Sequence, residues 1–170
     1  QRHDLLPDMV SLGKPMGNGY PVAGLVMQPG IIAAFGAKAR YFNTFGGNAV
    51  AAATAMAVLE VIESEGLQQN ARNVGVYFRS GLKAMARDPA CLGPLRAAGL
   101  LLGQDIITGD PLTPGAALTA RLVNGLRAER VLISATGPRS NVLKIRPPLV
   151  FTKANVDHFL TAFETGLGRV

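Results

Sequence analysis

The 170-residue sequence predicts an α/β fold. Two observations carry that prediction. Short apolar runs bounded by proline and glycine, the composition of strands, alternate with longer segments whose apolar residues recur at i, i+3, i+4 and i+7, the period of one helix face. The chain also changes character near residues 62–67, from glycine-rich loops to a self-contained α/β stretch, which divides it into residues 1–66 and residues 67–170. The length suits one domain or a little more.

In the first part, "DMVSL" and "VAGLVM" read as buried strands, "IIAAFGAKA" as a short helix and "YFNTFGGN" as a loop. A long alanine-rich helix follows from about Ala49 to Glu65, with Ala55, Val58, Leu59 and Ile62 on one face. Asn48 is its expected N-cap, and Gly66 closes it at C′. The second part opens with a helix from Leu67 to Ala86 that gathers Val74, Tyr77, Phe78 and Leu82. "LRAAGLLLGQDII" reads as a bent strand pair broken at Gly99 and Gly103, and "GAALTARLVNGLRAE" as a helix. "VLISA" and "NVLKI" read as strands, the latter stopped by Pro147 and Pro148. The last helix begins after Thr152 and carries Val156, Phe159, Leu160, Phe163 and Leu167 on one stripe.

Composition narrows the function classes. The chain is 48% hydrophobic and 16% charged, an ordinary globular balance. One cysteine, Cys91, leaves no internal disulfide framework, and two distant histidines, His3 and His158, lack metal-ligand spacing. The apolar runs are too short to span a bilayer and the first residues do not resemble a signal peptide, so no membrane role and a cytoplasmic location are expected. The net charge is +6, but the 17 Lys and Arg form no cluster and no aromatic ladder accompanies them. Nucleic acid is therefore not the expected partner, whereas a small anionic molecule fits.

The chemistry centres on "SLGKPMGNGYP". Lys14 follows Gly13 and precedes Pro15, so the chain bends at the lysine. A free lysine amine, with a pKa of about 10.4, is a poor nucleophile at neutral pH, and its commonest catalytic use is a Schiff base with a carbonyl such as pyridoxal phosphate. Small residues beside it would let a flat cofactor lie against the backbone; an ordinary turn with a solvated lysine is the other reading. Downstream, "NTFGGNAV" sets Thr44, Gly46 and Gly47 just before the long helix, whose free N–H groups and partial positive charge favour a phosphate. A capped glycine loop without a ligand fits the same residues. Neither a Walker-type nor a Rossmann glycine motif is present. Ser11-Leu-Gly-Lys14 matches the S-x-x-K of penicillin-binding proteins, but their S-D-N and K-T-G companions are missing and Gly13 and Pro15 favour a turn over a helix start.

Three stretches, "PDMVSLGKPMGNGYPVAGLV", "YFNTFGGNAVAAATAMAVLEVIE" and "NVLKIRPPLVFT", together resemble the class III aminotransferases, enzymes of pyridoxal-phosphate fold type I. They stand in the family's order and cover nearly the whole chain. The resemblance implies that residues 1–66 are the end of the cofactor-binding large domain and residues 67–170 the small C-terminal domain. It implies pyridoxal 5′-phosphate as cofactor, Lys14 as the Schiff-base lysine and Thr44 as a contact to the cofactor phosphate of the other subunit of a homodimer. It implies a small-molecule amino donor and a keto or aldehyde acceptor as substrates.

The same resemblance implies that a longer protein is the family norm, since the aspartate at the pyridine nitrogen and the Gly-Ser or Gly-Thr phosphate loop precede the lysine segment. The expectation is a fragment with little or no activity alone, prone to self-associate through exposed strand edges, or else a non-catalytic remnant. One departure bears on substrate. Where many members carry an arginine that forks onto the substrate carboxylate, this sequence has Lys144, with Arg146 two residues later. Lysine is a point charge and cannot form that fork. "NVLKIRPPL" is similar to the branch that includes ethanolamine-phosphate and phosphohydroxylysine phospho-lyases, and Lys144 with Arg146 would suit a phosphate-bearing substrate. Two surface charges at a strand end is the alternative.

Overall fold

The computed structural model describes residues 3–85 and 91–169. The chain forms two compact units, residues 1–65 and 66–170.

The first unit contains a two-stranded antiparallel ribbon, β1 (Met9–Leu12) and β2 (Gly24–Met27), in the register Met9↔Met27 to Leu12↔Gly24. Between the strands runs a 3-10 turn, Lys14–Gly17, which packs against α2 (Ala49–Ser64). The short helix α1 spans Pro29–Lys38, with Pro29 in its first turn, where a missing N–H does no harm. Asn48 caps α2 as its sequence position predicts: its Oδ1 accepts from the N–H of Ala51 at 2.9 Å. Gly66 follows the helix at φ 60°, a conformation that favours glycine.

The strands read as buried are exposed: Val10, Leu12, Leu25 and Val26 all face solvent. A two-stranded ribbon has no second layer to cover it, so apolar content alone does not decide burial. On α2 the buried stripe is Ala51 and Ala55, with Val58 and Ile62 half-buried, while Leu59, assigned to that face from the sequence, lies exposed.

The second unit is a five-stranded antiparallel sheet with three helices on one face. β3 (Leu92–Ala98) and β4 (Leu101–Thr108) form a hairpin, and β5 (Asp110–Pro114) pairs with the end of β4. With β6 (Ser134–Thr136) and β7 (Val142–Ile145) the sheet order is β3-β4-β7-β6. The helices are α3 (Leu67–Met85), α4 (Ala116–Ala128) and α5 (Lys153–Leu167). The expected end of the second helix at Ala86 lies outside the described residues. Thr152 caps α5 in a reciprocal box: its Oγ1 accepts from the N–H of Asn155 while Asn155 Oδ1 accepts from the N–H of Thr152.

Alternation along β4 and β7 turns Leu102, Ile106, Leu143 and Ile145 inward onto Phe78, Leu82, Leu122, Leu126, Val156 and Phe163. The predicted stripe of α5 faces this core, and so does that of α3 except for Tyr77, which is partly exposed and donates its hydroxyl to Asp157 Oδ1 at 2.7 Å. That bond to a carboxylate raises the Tyr77 phenol above its ordinary value. Two polar side chains are buried among the described residues: Thr119, whose hydroxyl donates to Gly115 O at 2.8 Å, and Gln104, whose Nε2 donates to the carbonyls of Gly93 (2.8 Å) and Asp105 (3.0 Å) across the irregular register of β3 and β4.

Three sequence expectations change here. The hairpin turns at Gly99, at φ 56°, but Gly103 lies inside β4 and breaks nothing. Strand β6 begins at Ser134, not at Val131, because the N–H of Val131 is already bonded to Leu126 O in closing α4. Strand β5 stands where no element was expected; its Pro111 and Pro114 are tolerated because the strand is on an edge.

The backbones of α3 and the hairpin meet at Gly75. A Cβ there would overlap the carbonyl group and α-carbon of Gly99. Backbone cannot swing aside as a side chain does, so Gly75→Ala is expected to destabilise the second unit by about 1–3 kcal/mol or more. Chemical denaturation read by circular dichroism checks this; an unchanged midpoint would show that the helix and hairpin can separate freely.

Candidate active site

Lys14 opens the 3-10 turn with φ 46°. That left-handed backbone costs an L-residue with a Cβ about 1–2 kcal/mol, and such strain concentrates at functional positions. The turn is held by Met16 N–H to Gly13 O at 3.3 Å and Asn18 N–H to Pro15 O at 3.0 Å, and by Gly17, where a Cβ would collide with Val22. The lysine side chain is exposed, and no ion pair engages it among the described residues. Its amine is therefore presented, not buried in a structural role.

Thr44 sits in the loop ahead of α2. Asn43 organises that loop: its Oδ1 accepts from the N–H groups of Phe45 (3.1 Å) and Gly46 (2.9 Å). With Asn48 satisfying Ala51, the N–H groups of Ala49 and Val50 remain in the first helical turn without intrahelical partners. The Thr44 hydroxyl is exposed beside this helix start. An unpaired amine on a fixed turn is suited to meet an aldehyde, and, separately, a hydroxyl ahead of free helix N–H groups is suited to meet a phosphate. No hydrogen bond joins Lys14 to Thr44 among the described residues.

Lys144 and Arg146 lie in the second unit, and one cleft of about 720 Å³ brings them together. Lys144 pairs with Gly103 on one side and Ser134 on the other, so its side chain leaves the sheet on the face opposite the core. Arg146 follows two residues on, just before the Pro147–Pro148 stop. The loop after it is pinned by Asn70, whose Nδ2 donates to Leu149 O (2.7 Å) and Phe151 O (3.0 Å). On the same open face Arg96 forms a bidentate pair with Asp105, which consumes that cation locally.

The cleft contains a residue that the sequence reading missed. Arg130 lines it, at φ 65°. Helix α4 ends there in a Schellman arrangement: Arg130 N–H bonds Arg127 O at 3.0 Å and Val131 N–H bonds Leu126 O at 2.8 Å. The position is one for glycine, and arginine holds it. A signal existed in the sequence, since between Ala128 and Val131 the helix must end and no glycine is available to end it.

Among the described residues no group of three or more His, Cys, Asp or Glu is placed to hold a metal ion. None of the described helices is long and apolar enough to cross a membrane.

The aminotransferase class-III family profile matches residues 1–167. An alanine–glyoxylate aminotransferase 2-like protein of Drosophila melanogaster is 40% identical over 173 residues, covering 100% of this chain and 35% of its own length. A solved phospholyase from Arthrobacter, in complex with phosphoethanolamine, aligns at 40% identity with a TM-score of 0.94, over 98% of this chain and 40% of that one. An amine transaminase from an uncultivated Pseudomonas species, solved in a PLP-bound form, aligns at 27% identity with a TM-score of 0.83, over 96% of this chain and 38% of its own. The chain spans about a third of the length of the curated relatives it matches. On the family match and on the shared α/β architecture of fold type I, this chain belongs to the class III aminotransferases.

Proposed function

We propose that the chain carries the lysine-bearing part of a pyridoxal-phosphate-dependent aminotransferase site, which moves an amino group from a small amino donor to a keto or aldehyde acceptor. The observation that carries this reading is the strained turn that presents Lys14 inside the family-matched segment. Bound pyridoxal 5′-phosphate would supply an aldehyde for a lysine amine and an electron sink for charge developing on the substrate. Lys14 holds the aldehyde end and serves as the base and acid that moves the proton on the substrate's α-carbon. Thr44 and the free N–H groups that open α2 hold a phosphate, that of the partner subunit's cofactor if the protein is a homodimer. Lys144 and Arg146 meet the anionic group of the substrate.

A second reading, phospho-lyase elimination from an amino-alkyl phosphate, is favoured by one feature: Lys144 supplies a point charge where a carboxylate-gripping fork needs arginine. The similarity to a phospholyase solved with phosphoethanolamine supports it.

The test is titration of the protein with pyridoxal 5′-phosphate, borohydride reduction and peptide mapping. One pyridoxyl label at Lys14 is the expected result. Labels scattered over Lys38, Lys83 and Lys153 would overturn the assignment. Phosphate release from phosphoethanolamine, compared with amino transfer to pyruvate, separates the two reactions.

A further inference from the structure

Thr44 is the central residue of a turn that a side chain closes. Asn43 Oδ1 accepts from the N–H of Phe45 at 3.1 Å and from that of Gly46 at 2.9 Å, so a hydrogen-bonded ring runs through Thr44. The other end of the same carboxamide is held too, since Asn43 Nδ2 donates to the Tyr41 hydroxyl at 3.2 Å. Tyr41 in turn meets Phe35 of α1 edge-on, at a centroid distance of 6.4 Å. The Thr44 hydroxyl itself has no hydrogen-bond partner among the described residues.

Packing does not shape this loop. Phe42 and Phe45, on either side of Thr44, are exposed. The start of α2 does not need Asn43 either, because Asn48 caps it and also donates its Nδ2 to Phe45 O at 2.8 Å. The two N–H groups that Asn43 takes belong to the residues directly after Thr44. Gly46 is matched to this arrangement. Its backbone lies outside the left-handed region and would accept alanine. A Cβ there, however, would lie 2.8 Å from both Cγ and Nδ2 of Asn43, so a larger residue evicts the carboxamide.

We propose that Asn43 is a positioning residue, which fixes the Thr44 hydroxyl ahead of the free N–H groups of Ala49 and Val50 before a phosphate arrives. A loop that must order on binding loses affinity in proportion to the time it spends in other shapes, and Asn43 removes that loss. Asn43 also occupies the Phe45 and Gly46 N–H groups, which leaves the Thr44 hydroxyl and the first turn of α2 as the donors for the phosphate. The inference rests on the reading of Thr44 as a phosphate contact and is independent of Lys14, Lys144 and Arg146.

The experiment is titration of the 170-residue protein with inorganic phosphate at constant ionic strength, read by amide chemical shifts and amide exchange. Saturable shifts over residues 44–50 are expected in the unaltered protein, and Thr44→Val should weaken the binding. Asn43→Ala should weaken it about fivefold, the equivalent of one lost hydrogen bond. In that variant the Phe45 and Gly46 N–H groups should exchange faster, and slow again when phosphate orders the loop. Asn43→Ser, whose hydroxyl closes the same turn more weakly, should recover part of the affinity. Gly46→Ala should match Asn43→Ala and add nothing to it, because both act through one carboxamide. Asn43 is exposed, and unchanged shifts outside the loop verify that each variant folds. A merely structural role would speed exchange in Asn43→Ala and leave the affinity unaltered. If Thr44→Val weakens phosphate while Asn43→Ala and Gly46→Ala bind it as the unaltered protein does, this inference falls and the reading of Thr44 stands. If the unaltered protein shows no saturable shift over residues 44–50, or Thr44→Val binds equally well, both fall.

Discussion

Lys14→Gly is expected to abolish the borohydride-stable pyridoxyl label and, at the same time, to make the first unit more stable. The two effects have separate causes. The label requires the amine, which glycine lacks. The stability gain comes from the backbone: φ 46° is strained for lysine and unstrained for glycine, a difference of about 1 kcal/mol that is partly offset by the greater freedom of glycine in the unfolded chain. Lys14→Ala removes the amine but keeps the strain, so it should lose the label without the gain. Amide exchange across Met9–Met27, alongside labelling, reads both quantities in one protein. Slower exchange in Lys14→Gly would mean that lysine is kept at a conformational cost, as expected of a functional side chain. Faster exchange would mean that the lysine stem makes stabilising contacts in the turn, and the case for a presented amine would weaken.

The second large effect concerns the core beneath the cleft. Phe78→Ala is expected to destabilise the second unit by about 3–5 kcal/mol. Phe78 is fully buried and packs between Phe151 and Phe159, so its loss removes the apolar burial, two ring contacts and the fill of a rigid cavity. Against a typical stability of about 5–15 kcal/mol, that loss is a third or more of the whole. Phe78→Leu should cost far less, since most of the volume is kept. Urea unfolding followed by far-ultraviolet circular dichroism measures both, and a loss below about 1 kcal/mol for alanine would contradict the packing described.

Much of this molecule is written locally in its sequence. The helix faces of α3 and α5, the Asn48 and Thr152 caps, Gly66 and the Gly99 turn follow from side-chain periods and from backbone preferences that act over a few residues. Lys14 was legible because glycine and proline around a lone lysine bend the chain wherever they occur, whereas Lys144 and Arg146 were singled out by the resemblance to the class III family.

Burial and partnership were not legible, because they depend on what another part of the chain brings into contact. "DMVSL" and "VAGLVM" are apolar enough for a core, yet among the described residues they pair with each other and leave Val10, Leu12, Leu25 and Val26 exposed, and Leu59 carries the right period but lies exposed. Gly75 carries no local sign that the backbone of Gly99 will press against it from across the fold. Arg130 and Lys144 are fourteen positions apart, and only the Schellman close of α4 and the order β4-β7-β6 place both on one cleft. Local physics, in short range along the chain, determined the elements and the lysine turn; long-range packing, which no short window contains, decided which of those faces is a core, which is a surface and which is a site.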